Sequence, residues 1–227
     1  MVRSALIALV LVLAAPPAFA APTDANGPPP TPPPVIAAQN DGWTTTDVAE
    51  FERKAAAGNV EAMYNLGLAY ANGEGAPKDL AKARGWYVKA ANLGSRDAMN
   101  NLGVLYSNGD GVPINYLTAL KWYRKAAALG DNTAMNNIAF AYDIGLGVPV
   151  NDVEAVRWYR MAADAGNADG AYNLGVMYEN GEGLPRNFNE AAACYRRAML
   201  SPDPDMQTKA QKALDRVTKP SVALPFV

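Results

Sequence analysis

Residues 62–91 read AMYNLGLAYANGEGAPKDLAKARGWYVKAA, and 36 positions later residues 98–127 read AMNNLGVLYSNGDGVPINYLTALKWYRKAA. The frame returns twice more. Asn65-Leu66-Gly67 becomes Asn101-Leu102-Gly103, then Asn137-Ile138-Ala139, then Asn173-Leu174-Gly175. Tyr70 comes back as Tyr106, Tyr142 and Tyr178. The pair Gly73/Gly75 comes back as Gly109/Gly111, Gly145/Gly147 and Gly181/Gly183, with Pro77, Pro113, Pro149 and Pro185 in step. Trp86-Tyr87 becomes Trp122-Tyr123 and Trp158-Tyr159, and ends as Cys194-Tyr195. A fixed period at this many positions marks a repeat architecture.

Working outward, each unit reads as two helices. Ala62, Leu66 and Tyr70 fall on one stripe of a first helix, A. Ala83, Trp86/Tyr87 and Ala90 fall on one stripe of a second, B. Asn59, Ser95, Asp131 and Asn167 stand where helix A needs a capping oxygen, and Asp79, Asn115, Asn151 and Asn187 do the same for helix B. Glu61, Asp97 and Asp169 put negative charge at the positive end of helix A, with Thr133 breaking the row. Gly58, Gly94, Gly130 and Gly166 supply the left-handed turn after each B helix. A hairpin of this length is marginal alone, so both stripes must be buried by stacking. The expected fold is all-α: a superhelical solenoid of four repeats, 58–93, 94–129, 130–165 and 166–201. Capping helices are expected at 46–57 and 202–219, the latter with Ala210, Ala213, Leu214 and Val217 on one face, before a short tail at 220–227. Gly67, Gly103, Ala139 and Gly175 lack bulk where A and B approach. The Trp and Tyr rows are expected to fill the space between hairpins, so that Trp122→Ala costs about 3–5 kcal/mol.

The N-terminal region reads differently. Arg3, an apolar run from Ala5 to Ala15, Pro16-Pro17 and then Ala18-Phe19-Ala20 have the layout of a Sec-type signal peptide, residues 1–20, cleaved after Ala20. The run is well short of the ~20 residues that a membrane-spanning helix needs. Residues 21–45 form a spacer. Its proline triplets, 28–30 and 32–34, favour an extended polyproline helix, read either as simple reach or as a docking motif. The destination expected is the periplasm or the exterior. Cys194 is the single cysteine, so no disulfide within the chain can form and the fold rests on packing.

Composition narrows function. Net charge is −2 with both signs interspersed, which gives no basic field for nucleic acid or anionic lipid. The chain has no histidine, the commonest general base, and no metal-binding His/Cys cluster. Gly73-x-Gly75 joins two helices and follows no strand, so it is not a nucleotide fingerprint. The loop acids Glu74, Asp110 and Glu182 are too sparse for a calcium site. Cys194 takes the tryptophan position of helix B and is expected to be buried and unreactive. These features argue against an enzyme, and no cofactor or metal is expected.

The pattern Ala62-Met63-x-Asn65-Leu66-Gly67-x-x-Tyr70, Gly73-x-Gly75-x-Pro77, Trp86-Tyr87-x-x-Ala90-Ala91 resembles the Sel-one-like repeat, a relative of the tetratricopeptide repeat. The resemblance covers about residues 46–201. It implies an adaptor or regulator that works through protein contacts. The exported bacterial members it resembles look like periplasmic signalling regulators, envelope scaffolds or host-contact factors, which implies a partner such as a periplasmic sensor or an envelope enzyme, or a structural role in the envelope or cell wall; the protein itself is expected to be a monomer. One secreted branch carries a cysteine pair per repeat and is linked to penicillin binding. This chain lacks those cysteines at every repeat, so β-lactam binding or hydrolysis is the most remote alternative.

By the same analogy helix A lines the concave face. Its outward positions are Glu61, Tyr64, Leu68 and Ala71, then Asp97, Asn100, Val104 and Ser107. Next come Thr133, Asn136, Phe140 and Asp143, and last Asp169, Tyr172, Val176 and Glu179. This is an apolar strip edged by carboxylates, suited to a segment with basic groups. Phe140 and Tyr172 are the expected anchors, whereas Leu68, Val104 and Val176 also read as packing within the stack. The row Asn65, Asn101, Asn137, Asn173 has two readings: bonds to the neighbouring unit's backbone, or an amide ladder that grips a ligand's main chain.

Overall fold

The structure, a computed structural model, describes residues 42–219, and the described residues form ten helices and no strand. The expected signal peptide, the spacer up to residue 41 and the tail from 220 lie outside the described residues. Helix α1 (Thr45–Ala56) precedes four hairpins. These are α2 (Val60–Asn72) with α3 (Leu80–Asn92), α4 (Arg96–Asn108) with α5 (Tyr116–Ala128), α6 (Asn132–Ile144) with α7 (Asp152–Asp164), and α8 (Ala168–Asn180) with α9 (Phe188–Ala198). Helix α10 (Pro204–Thr218) follows.

Local chemistry sets the boundaries. The Asn59 side chain accepts from the Ala62 N–H at 2.7 Å, and Ser95, Asp131 and Asn167 cap α4, α6 and α8 in the same way. Asp79, Asn115, Asn151 and Asn187 cap the B helices. Each such oxygen satisfies an otherwise orphaned N–H and contributes about 1 kcal/mol. Helix α1 begins with a capping box between Thr44 and Asp47.

The paired glycines do two jobs. Gly73 (φ 81°) ends α2 in the left-handed region. Gly75 (φ 67°) also has positive φ, and lies so close to the Thr44 carbonyl that an added Cβ would overlap it. One hairpin on, Gly111 sits against Leu80, Gly147 against Tyr116 and Gly183 against Asp152. Each hairpin loop therefore tucks against the start of the preceding B helix. This is a contact between units, fixed by a residue with no side chain.

Within a hairpin the close approach of A and B is filled by tyrosine. A Cβ on Gly67, Gly103 or Gly175 would overlap the ring of Tyr87, Tyr123 or Tyr195. Tyr87, Tyr159 and Tyr195 rank among the largest fully buried side chains. The tryptophans beside them do not share this position. Trp86, Trp122 and Trp158 are half-buried against the hydrophobic core, under Lys89 (3.7 Å from Nζ to the ring centre), Lys125 (4.3 Å) and Arg157 (4.7 Å). The expectation that Trp122 is a buried aromatic is corrected: it is half-buried, and Tyr123 is the buried one. A B helix turns about 100° per residue, so of two adjacent aromatics only one can face helix A of its own hairpin.

Helix A of each hairpin contacts the B helices on both sides, and also touches the next A helix (α2 with α4, α6 with α8, α8 with α10). The A helices thus form the inner, more closely spaced row of the solenoid.

Candidate binding groove

The A helices present a groove whose floor carries hydroxyl groups. The buried tyrosine of each B helix reaches past its glycine to the fourth groove position of helix A. Tyr123 lies 3.2 Å from the Ser107 hydroxyl. Tyr159 donates to Asp143 Oδ2 at 3.0 Å, and Tyr195 donates to Glu179 Oε2 at 2.6 Å. In the first hairpin that position is Ala71, and the Tyr87 hydroxyl is served by Asn101. The sequence offers the aligned signal, Ala71/Ser107/Asp143/Glu179 beside an invariant tyrosine. The 16-residue bond itself is invisible until A and B are packed.

The expected groove residues divide into two groups. Asn100 is completely buried, and Leu68, Val104, Asn136 and Tyr172 are also buried. Leu68 and Val104 pack in the core shared by the hairpins. Tyr64, Phe140, Asp143, Val176 and Glu179 are half-buried and remain accessible. Tyr172 packs 5.4 Å from Tyr195 and lies under the Lys209 ammonium (4.1 Å), so α10 covers it.

The asparagine row works between hairpins, side chain to side chain. Asn137 Nδ2 donates to Asn100 Oδ1, and Asn173 Nδ2 donates to Asn136 Oδ1, each at 3.2 Å. Asn101 serves the hydroxyls of Tyr64 and Tyr87. The four rungs are thus Tyr64–Asn101, Asn100–Asn137, Asn136–Asn173 and Tyr172–Lys209. The last replaces an amide with a cation over a ring. Asn65 stands half-buried at the start of the row.

Two clefts open at equivalent places. The first, about 350 Å³, is bordered by Leu68, Tyr87, Asn101, Val104 and Asp110. The second, about 170 Å³, is bordered by Tyr116, Tyr123, Asn137, Phe140 and Leu146. Tyr87/Tyr123, Asn101/Asn137 and Val104/Phe140 are repeat equivalents, and the larger Phe140 ring accompanies the smaller cleft.

Electrostatics separate two carboxylates in corresponding places. Burial raises Asp143 to about 6. The Tyr159 hydrogen bond opposes this rise, and the charges of Glu182 and Asp152 add to it. Burial pushes Glu179 in the same direction. There the hydrogen bonds from Arg216 and Tyr195, with the Arg216 charge, overcome it and leave Glu179 below the usual value. Burial also pushes the Cys194 thiol up to about 11, so little thiolate exists at neutral pH. The loop acids act as clips: Glu74, Asp110 and Glu182 accept from Asn72, Asn108 and Asn180. Among the described residues no group of three or more acidic, histidine or cysteine side chains is placed to hold a metal. No helix there is long and apolar enough to cross a membrane.

The Sel1 repeat model matches residues 60–95, 96–131, 132–167 and 168–199. Among solved structures the chain is similar to a protective antigen present in uropathogenic Escherichia coli strains, described as displaying an SLR fold. Identity is 34% over 74% of this chain with a TM-score of 0.68, and the chain spans 36% of that protein. It is similar to a Sel1 repeat protein from Oxalobacter formigenes at 29% identity, over 76% of this chain and 78% of that one, with a TM-score of 0.69. An immunity protein from Pseudomonas aeruginosa shares 19% identity over 79% and 77% of the two chains, with a TM-score of 0.50, which bears on the fold alone. The sequence matches no curated protein.

Proposed function

Because the chain belongs to the Sel1 repeat family, whose members generally mediate protein–protein interaction, we propose that it is an exported scaffold or regulator that holds a partner polypeptide in the groove of its A helices. The observation that carries this reading is the contrast between frame and lining. Caps, glycines and buried tyrosines repeat, while the groove positions change from hairpin to hairpin: Ala71, Ser107, Asp143 and Glu179 in one row, and accessible Phe140 and Val176 where Leu68 and Val104 are buried in another. Packing accounts for the frame. It does not require the lining to vary.

The site of action we propose is the periplasm, reached through the N-terminal signal. N-terminal sequencing of the exported protein is expected to begin at Ala21. Binding is the role, without catalysis: the family is typically non-enzymatic, and the groove carboxylates Asp143 and Glu179 are tied to tyrosine hydroxyls. A photo-crosslinking residue at Phe140, in the groove, tests the reading against one at Lys121, exposed on the outer helix α5. Capture of a discrete polypeptide at 140 and not at 121 is the expected result, and equal capture at both sites rejects it. A sensor or enzyme in the product supports the regulatory form. Wall components support the second reading, a structural adaptor of the envelope, for which the proline-rich spacer supplies reach.

A further inference from the structure

The fourth hairpin already holds a guanidinium. Arg216 of α10 donates from Nε to Glu179 Oε1 at 2.6 Å and from Nη2 to Glu179 Oε2 at 2.8 Å, while the Tyr195 hydroxyl donates to the same Oε2. Two parallel bonds onto two carboxylate oxygens are what a planar guanidinium supplies and a point-like ammonium does not.

One hairpin earlier, two of the three parts recur. Asp143 takes the place of Glu179, and Tyr159, in the place of Tyr195, donates to its Oδ2. The third part is missing among the described residues. The position equivalent to Arg216 is Asn180, whose short amide is turned to Glu182 at 3.3 Å. Among the described residues no lysine or arginine forms an ion pair with Asp143. The first two hairpins carry Ala71 and Ser107 at this position, so the incomplete triad belongs to the third hairpin alone. Asp143 is half-buried and faces the tyrosine on α7 and the carboxylates of Asp152 and Glu182. No packing need is met by a charge there, since Ser107 serves the equivalent tyrosine without one.

We infer that Asp143 and Tyr159 form a receptor for one arginine side chain of the partner, gripped in the forked geometry that Arg216 adopts on Glu179. Phe140, half-buried three residues earlier on the same helix, gives the arginine stem an apolar neighbour. The inference rests on the groove reading only for the source of the arginine; the pocket itself is tested without a partner.

The probe is N-acetyl-arginine amide, titrated at pH 7.5 and low salt into the ¹⁵N-labelled full chain, with N-acetyl-citrulline amide as the uncharged match. The expected result is saturable shifts of α6 and α7 amides with arginine, and at least tenfold weaker binding of citrulline. Asp143→Asn is expected to lose at least tenfold for arginine. Asn180→Arg places an arginine at the position equivalent to Arg216, so it is expected to abolish arginine binding and raise the melting temperature. Equal binding of the two amides, parental affinity in Asp143→Asn, or no saturable shift in α6 and α7 each overturns the inference. Should Asp143→Asn fail to fold, Asn180→Arg and the citrulline comparison decide. Loss of arginine selectivity with continued cross-linking at 140 overturns the pocket and leaves the groove reading standing. Arginine-selective binding with no cross-linked polypeptide does the reverse.

Discussion

Asn100 and Asn137 share one hydrogen bond, which leaves Asn100 Nδ2 and Asn137 Oδ1 inside the stack without partners. Truncating one partner strands the other, so Asn137→Ala is expected to lower unfolding free energy by about 1–3 kcal/mol in urea titrations. An unchanged midpoint would hand the row back to ligand binding. Asp143 predicts the opposite sign. Burial raises its folded-state value to about 6, against 3.8 for a free aspartate carboxyl. As pH falls through 6 the native state takes up a proton that the unfolded chain accepts only near 4, so this group adds stability on acidification across that window. Above pH 6 the buried charge is a cost. Asp143→Asn, which keeps an oxygen for the Tyr159 hydroxyl, is therefore expected to stabilise the ligand-free protein by about 1–2 kcal/mol at pH 8, with the gain vanishing toward pH 4. Chemical denaturation at the two pH values reads this directly, and a gain that persisted at pH 4 would point to packing instead of charge. A carboxylate that weakens the empty protein fits a binding site better than a structural one.

Among the elements, the adjacent aromatics of helix B carry unequal weight. Tyr123 is buried against Gly103, and Trp122 is half-buried beneath Lys125. Tyr123→Ala is expected to cost about 3–5 kcal/mol and Trp122→Ala clearly less, about 1–2 kcal/mol. Thermal melts of the two variants rank them, and the reverse order would mean that helix B is rotated. This pair also marks where the sequence stops being readable. The helices, their caps and the glycine turns are set by neighbours within a few residues, so Asn59, Asp79 and Gly73 announce them before any packing is known. Which of two adjacent aromatics turns inward depends on the approach of another helix, and the letters Trp-Tyr do not carry that. The groove row was legible as positions on helix A. Its accessibility was not: Val104 and Phe140 occupy the same outward row, yet the first is buried and the second half-buried once the neighbouring hairpins are in place.

At the scale of the whole molecule, α10 takes the place of a fifth helix A, and no B helix follows it among the described residues. Asp203 caps it 36 residues after Asn167, Lys209 stands in the asparagine row above Tyr172, and Arg216 grips Glu179 from the next position along. Asp203 repeats the cap Asp131, but Lys209 and Arg216 match none of their repeat equivalents, so the sequence shows a closing amphipathic helix more readily than its register. An array of this kind is stabilised by nearest neighbours, and loss of an end unit is felt mainly by the unit beside it. Ending the chain at Ser201 uncovers the faces of α8 and α9 that α10 covers and leaves Glu179 without its guanidinium. Hydrogen-exchange protection is expected to fall across α8 and α9 and to hold across α2–α5. Equal loss in all four hairpins would show one cooperative unit instead of a chain of neighbours. The shortened protein should also gain a binding site. With Arg216 gone, Glu179 and Tyr195 repeat the unfilled arrangement of Asp143 and Tyr159. Arginine amide should then shift α8 and α9 resonances as well as those of α6 and α7, a doubling that a groove without guanidinium receptors cannot produce.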